Sequence, residues 1–201
     1  MKKVLMVLCH ADDEIIFGWP ILQDKSIEKE ILICSSDLKH PDRKWCAHRK
    51  YVLFEICQAL NIPVTCFDYN SEFYRTETRK ESLSKLQSQI VEFVHSHEHD
   101  YVFTHNPLGE YGHLDHKMLF DLMLCYSRKP ILITDITLKT NWPSHESIPQ
   151  RLRQLYYTKP FTESLELNEE LYQFCEELYR KYKVWTWSTP PVKKCRLFEL
   201  S

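Results

Sequence analysis

Apolar residues follow two spacings along the chain. Five short runs, Lys3–Leu8, Glu30–Cys34, Pro63–Asp68, Asp100–Thr104 and Pro130–Thr134, are rich in branched or aromatic residues. Such runs predict strands buried on both faces. Between them the spacing becomes helical. Segments Glu14–Leu22 and Lys44–Leu60 follow the first two runs. Segment Arg79–His97 places Leu83, Leu86, Ile90 and Phe93 three or four residues apart, so one face is buried. His116–Tyr126 carries Leu119, Leu122 and Met123 in the same way. Alternating strands and helices predict an α/β fold, a Rossmann-like, mostly parallel sheet flanked by helices.

The last third breaks this alternation. Arg151–Thr158 reads as a strand. Asn168–Lys183 reads as a helix with Asn168 as N-cap and Leu171, Phe174, Leu178 and Tyr182 as its apolar stripe. Together they form a short C-terminal strand/helix extension. Val184–Pro191 ends in two prolines and is expected at the surface. Its aromatics suit cover for the core, or a subunit contact in a homo-oligomer, better than stacking on bases. No repeat, low-complexity tract or linker divides the chain, so residues 1–201 are read as a single domain.

Composition narrows the function. Only 3 residues are glycine, which removes the dinucleotide and P-loop fingerprints. A formal net charge of −2 excludes a whole-surface basic field for nucleic acid or an anionic membrane. No apolar run approaches the roughly 18 residues of a membrane span. The apolar run Val4–Leu8 is too short for a signal peptide and is followed at once by charged residues, so it is read as a buried strand. None of the 8 cysteines lies in a CxxC pair, and Cys34 and Cys66 fall inside strand-like runs. Buried free thiols fit a reducing, cytoplasmic location.

Two clusters carry chemistry. The first, Cys9-His10-Ala11-Asp12-Asp13-Glu14, directly follows the first strand. The second, Gly109-Glu110-Tyr111-Gly112-His113-Leu114-Asp115-His116, follows the fourth. In a parallel sheet both lie at carboxyl ends of strands, where ligand sites occur. Three adjacent acids repel one another, and a divalent cation removes that cost. An imidazole and a carboxylate from this loop, with a second imidazole from elsewhere, make a three-ligand open site. Zinc in such a site keeps a position for water and lowers its pKa towards about 7. A neighbouring unliganded carboxylate can then act as general base. Alone, the first cluster reads equally as an acidic loop capping a helix, and a lone His-x-x-His is a weak signal. Together they point to metal-assisted hydrolysis.

The two clusters resemble the motifs of the PIG-L/LmbE-like family of zinc-dependent N-acetylglucosaminyl deacetylases. That family opens on a strand and Ala-His-Pro-Asp-Asp-Glu, where this chain has Cys9 to Glu14. Its later Gly-Glu-Tyr-Gly-His-Pro-Asp-His matches Gly109 to His116, with Leu114 for proline. The resemblance covers about the first 135 residues. It implies that His10, Asp13 and His116 bind Zn²⁺, a set that also suits Fe²⁺. It makes Asp12 the base for the attacking water. It gives His113 the oxyanion or the leaving amine, and leaves open whether His113 or the newly protonated Asp12 supplies that last proton. Asp115 then orients and charge-tunes His113, Tyr111 stands near the scissile carbonyl, and Glu14 supports the loop. The implied substrate is a small N-acetylamino sugar of the GlcNAc type, or its conjugate. Another N-acylated small molecule is the alternative, and a non-catalytic binding protein is a third reading.

Departures from the motifs sit around the implied site. Ala11 and Leu114 stand where proline is usual, which changes loop stiffness and leaves every ligand in place. Ser35–His40 replaces a Thr/Gly-rich stretch expected to shape the substrate mouth. Arg49 matches an arginine that touches substrate, or is simply an exposed helix residue. His105, just before Asn106-Pro107, is placed at the mouth as a substrate contact. Trp45 and Trp142 either stack on a sugar face or pack.

Overall fold

The computed structural model describes residues 1–35, 43–67, 80–137 and 148–200. In chain order the elements are β1 (Lys2–Leu8), α1 (Asp13–Ile16), α2 (Trp19–Leu22), β2 (Ile27–Ile33), α3 (Arg43–Ala59), β3 (Val64–Cys66), α4 (Lys80–Ser96) and β4 (Tyr101–Phe103). They continue with α5 (Gly109–Gly112), α6 (Leu114–Tyr126), β5 (Ile131–Thr134), α7 (Gln150–Tyr156), β6 (Leu165–Glu166), α8 (Glu169–Lys181), β7 (Lys194–Cys195) and β8 (Leu197–Leu200).

Six strands form one sheet in the order β3-β2-β1-β4-β5-β8. The first five are parallel, and β8 closes the edge antiparallel to β5. This is the expected α/β fold. Strand β1 shows why its run is continuously apolar. Val4, Met6 and Leu8 face one core layer, with α2, α3 and α8. Leu5, Val7 and Cys9 face the other, with α4 and α6. Both faces are covered, as a parallel sheet requires.

The chain winds outward from β1 through β2 to β3, then returns and winds the other way through β4 and β5. The order reverses between β1 and β4. That crevice is the topological switch point, where the loops after two neighbouring strands diverge and leave room for a ligand. Both chemistry-bearing clusters follow these two strands.

Several local expectations change. The helix expected over Glu14–Leu22 is two short helices, because Pro20 has no N–H and its ring clashes with a continuing helix. Gly18 sits at the break, where an added Cβ would lie 2.9 Å from the Glu14 carbonyl oxygen. Arg151–Thr158 is not a strand. Its residues form α7, with Leu152 and Tyr156 one helical turn apart and packed on the core. The helix expected over Asn168–Lys183 is α8, and the Asn168 side chain accepts the Leu171 N–H at 3.1 Å. Its buried face, however, is Tyr172, Cys175 and Tyr179, one position round from the expected stripe. Leu171, Leu178 and Tyr182 flank that face, and Phe174 is exposed. Val184–Pro191 does more than cover the surface: Val184 is fully buried, and the residues after it reach the crevice.

Asn168→Ala removes the one side-chain cap of α8. Thermal or urea denaturation is expected to show a loss of about 1 kcal/mol.

Candidate metal and active site

The loop after β1 folds onto its own carboxylates. The His10 N–H donates to Asp13 Oδ2 at 2.7 Å, and the Asp12 N–H donates to Glu14 Oε2 at 2.8 Å. Asp12 holds a left-handed φ of 94°, which a residue with a Cβ adopts only under constraint. Asp12, Asp13 and Glu14 are all buried, at 2%, 3% and 0% exposure, so each charge needs its own compensation.

The loop after β4 is built around a second buried carboxylate, Glu110. Asn106 anchors the turn by donating to the Ile136 carbonyl at 2.7 Å and accepting the N–H of Leu108 and of Glu110. Glu110 has φ 52°, between Gly109 at 59° and Gly112 at 97°. This contorted turn carries the Glu110 side chain inward. Its Oε1 accepts the Asn106 N–H at 3.0 Å. Its Oε2 lies 2.6 Å from His116 Nδ1 and 3.2 Å from His105 Nδ1.

The two loops meet face to face. Ring nitrogens of His10, His113 and His116 that could ligate a metal lie within 4.8 Å of one another. Asp13 Oδ2 stands 3.5 Å from both His10 Nδ1 and His116 Nε2. Those separations are long for hydrogen bonds. They match the roughly 3.4 Å between two ligands that share a tetrahedral zinc at about 2.1 Å.

The decisive atom is His116 Nε2, which is buried without a hydrogen-bond partner. Glu110 takes the Nδ1 proton and so leaves the Nε2 lone pair facing the cluster, the arrangement that orients a metal-binding histidine. Burial, reinforced by His105, lowers the His116 pKa to about 4 and keeps the ring neutral, as ligation requires. His10 is held the other way: burial is outweighed by the Asp115 and Asp13 carboxylates, which raise its pKa to about 10, so the donor set fits a divalent cation that displaces the His10 proton on binding. A second set, Cys9, His105 and His116, also lies within 4.8 Å. It fits less well, because burial of His105 is outweighed by Glu110 and Asp13, which raise its pKa to about 9, its Nε2 is already packed 3.1 Å from the Cys9 nitrogen, and burial holds the Cys9 thiol protonated.

The remaining acids are compensated separately. Burial raises the Asp12 pKa to about 6, against the pull of the Arg49 guanidinium. Arg49 pairs with Asp12 Oδ1, and the Thr186 hydroxyl donates to Oδ2 at 2.8 Å. Burial raises Glu14 to about 8, although its Oε1 accepts the Tyr179 hydroxyl at 2.7 Å. For Asp13, burial is outweighed by His116, His10 and His105, and its pKa falls well below the usual range. For Glu110, burial is outweighed by His105 and His116, and its pKa falls to about 2.

A cavity of about 310 Å³ opens over this cluster. His10, Asp12, Asp13, Arg49 and His113 give it a polar wall. Phe17, Tyr111 and Trp187 give it an aromatic one, with the Trp187 ring 5.7 Å from Phe17 and 5.3 Å from Tyr111. Its volume is at the low end of the roughly 300–1,000 Å³ typical of small-molecule sites.

The structure thus gathers His10, Asp12, Asp13, Arg49, Tyr111, His113 and His116. Arg49 is a buried partner of Asp12, not an exposed helix residue. His105 lies outside the cavity wall: it is fully buried, with its ring stacked on His116 at 3.7 Å. Asp115 Oδ2 is placed 3.7 Å from His10 Nε2. Of the segment expected to shape the mouth, Ser36–His40 lies outside the described residues, as does Trp142. Sequence reasoning gave no place in the site to Glu110, Thr186, Trp187 or Tyr179. The signal for Glu110 was an acid between two glycines, six residues before His116. The other three sit far along the chain with no motif around them.

The sequence pattern of the PIG-L family, described as GlcNAc-PI de-N-acetylase, matches residues 5–126. The chain belongs to this family. An uncharacterized protein, L374, of Acanthamoeba polyphaga mimivirus is 27% identical over 127 residues, 59% of this chain. The chain spans about half the length of that relative, 55%. The zinc-inhibited form of a teicoplanin deacetylase, Orf2, shares the fold at TM-score 0.66 and 12% identity, over 98% of this chain and 97% of that one. The N,N'-diacetylchitobiose deacetylase of Pyrococcus horikoshii shares it at TM-score 0.59 and 16% identity, over 92% and 73%. At such identities the likeness establishes the fold, and the reaction has to be argued from the site.

Glu110→Gln removes the charge that orients His116. Competition with a chelator is expected to show about 10- to 100-fold weaker zinc binding.

Proposed function

We propose that this chain is a metal-dependent hydrolase that removes the N-acetyl group from a GlcNAc-type amino sugar or its conjugate. The observation that carries the reading is the lone pair of His116 Nε2, buried without a hydrogen-bond partner beside Asp13, in a cluster under the cavity that Asp12 lines. The family description supplies the acyl amino sugar.

His10, Asp13 and His116 would hold the metal. When bound, Zn²⁺ or Fe²⁺ supplies Lewis acidity, polarising the acetyl carbonyl and acidifying water. The chain supplies the rest. Asp12, with a pKa of about 6, is largely ionised at neutral pH and takes the proton of the attacking water. Arg49 and Thr186 fix its two oxygens. His113 lines the cavity and donates to the oxygen that gains charge as the carbonyl is attacked. Burial raises the Tyr111 pKa, so its hydroxyl stays protonated as a second donor. Each well-placed donor of this kind is worth on the order of 3 kcal/mol. The amine departs with the proton that Asp12 took from the water; His113 supplies it instead only when it enters the reaction protonated, against the burial that lowers its pKa. Asp115, beside His10, sets the charge around both rings.

The cavity, about 310 Å³, is of a size for one sugar ring with its acyl group. No described helix is long and apolar enough to cross a membrane. All 8 cysteines are free.

The test uses protein stripped of metal and reloaded with Zn²⁺. Amine release is measured from N-acetylglucosamine, N,N'-diacetylchitobiose and N-acetylglucosaminyl-phosphatidylinositol. Release that needs metal and falls at least 100-fold in Asp12→Asn, with metal still bound, is the expected result. Full activity in Asp12→Asn would remove Asp12 as the base. Metal binding without release from any of the three would move the substrate to another N-acylated small molecule.

A further inference from the structure

The matched family span ends at residue 126, yet the base is gripped by residues far beyond it. Asp12 has an unfavourable backbone conformation, with φ 94°, and something must hold it there. Glu14 does so by accepting the Asp12 N–H at Oε2. Glu14 has no exposure, so water cannot fix its orientation. Its other oxygen accepts the Tyr179 hydroxyl, from the buried face of α8.

The chain then turns back. Lys183 takes φ 57°, and the Val184 N–H donates to the Tyr179 carbonyl at 3.0 Å. Val184 is buried, and Trp185 packs on Tyr172 and Tyr179, with ring centres 6.2 Å and 5.9 Å apart. This turn delivers Thr186, whose hydroxyl donates to Asp12 Oδ2. Helix α8 and its following turn therefore reach one residue twice, once through its backbone and once through its carboxylate.

We propose that Tyr179, acting through Glu14, and Thr186 are positioning residues that set Asp12 for proton abstraction, so that the C-terminal segment is part of the catalytic machinery. The proposal rests on the reading of Asp12 as base. A base must stand within a hydrogen-bond length of the proton it takes, and a misplacement of about 1 Å costs up to about 100-fold in rate. Thr186 lines the cavity beside Asp12, and Tyr179 stands behind it on Glu14. Their shared target is Asp12.

The test compares Tyr179→Phe and Thr186→Val with Tyr172→Phe, a buried tyrosine on the same face of α8. On whichever of the three substrates is turned over, kcat should fall about 10- to 100-fold in the first two, with KM and zinc affinity within twofold of the parent. Tyr172→Phe should keep its kcat, and Thr186→Ser should restore that of Thr186→Val. An unchanged kcat in folded Tyr179→Phe and Thr186→Val would overturn the proposal, whatever their melting temperatures. Amide hydrogen exchange provides a second readout that needs no substrate. Protection of the Asp12 N–H should drop in Tyr179→Phe while that of Val4–Leu8 holds, and unchanged Asp12 protection would overturn the proposal. Loss of Asp12 protection together with full activity in Asp12→Asn would instead leave the positioning standing and remove the base assignment.

Discussion

Three consecutive carboxylates, Asp12, Asp13 and Glu14, are buried at the carboxyl end of the central strand. Everything around the site answers that constraint. An ionised group taken out of water costs several kcal/mol unless it is paired. Each acid is met differently. Asp13 faces His10, His105 and His116. Asp12 is held by Arg49 and Thr186. Glu14 accepts the Tyr179 hydroxyl at one oxygen and the Asp12 N–H at the other, and burial raises its pKa to about 8. The differing surroundings set adjacent acids apart: Asp13 is held ionised among histidines, Asp12 is paired with Arg49, and Glu14 braces the loop through the Asp12 N–H.

The sheet makes this possible. Reversal of strand order between β1 and β4 opens a crevice lined by the two motif loops. Helix α8 packs across the β1–β2 side, and β8 seals the edge of β5. Strong local constraints shape the loops, since Asp12 and Glu110 both adopt positive φ. Such strain persists only where surrounding contacts over-determine it. Here those contacts are carboxylate-to-backbone hydrogen bonds.

Much of this is legible in the sequence. The parallel sheet follows from continuously apolar short runs, because both faces of β1 are covered. The metal candidates follow from two motifs that occur after strands. The losses have physical causes. Pro20 splits a segment whose hydrophobicity alone reads as one helix. In α7, Leu152 and Tyr156 are spaced for a helix, but a short arginine-rich stretch resembles alternation. In α8, tyrosines and a cysteine form the buried face while the more aliphatic row flanks it. Thr186 and Tyr179 are invisible because their meaning lies in contacts across more than 160 residues of chain. Local pattern has no access to such pairings.

The central claim is that the buried acids and histidines form one cation site with a lone pair waiting at His116 Nε2. The most direct measurement is anomalous diffraction at the zinc edge from crystals of the zinc-loaded protein. The account predicts a single strong peak bounded by His10, Asp13 and His116, with Asp12 unligated beside it. A peak on Cys9 and His105, or no peak in the crevice at saturating zinc, would contradict it.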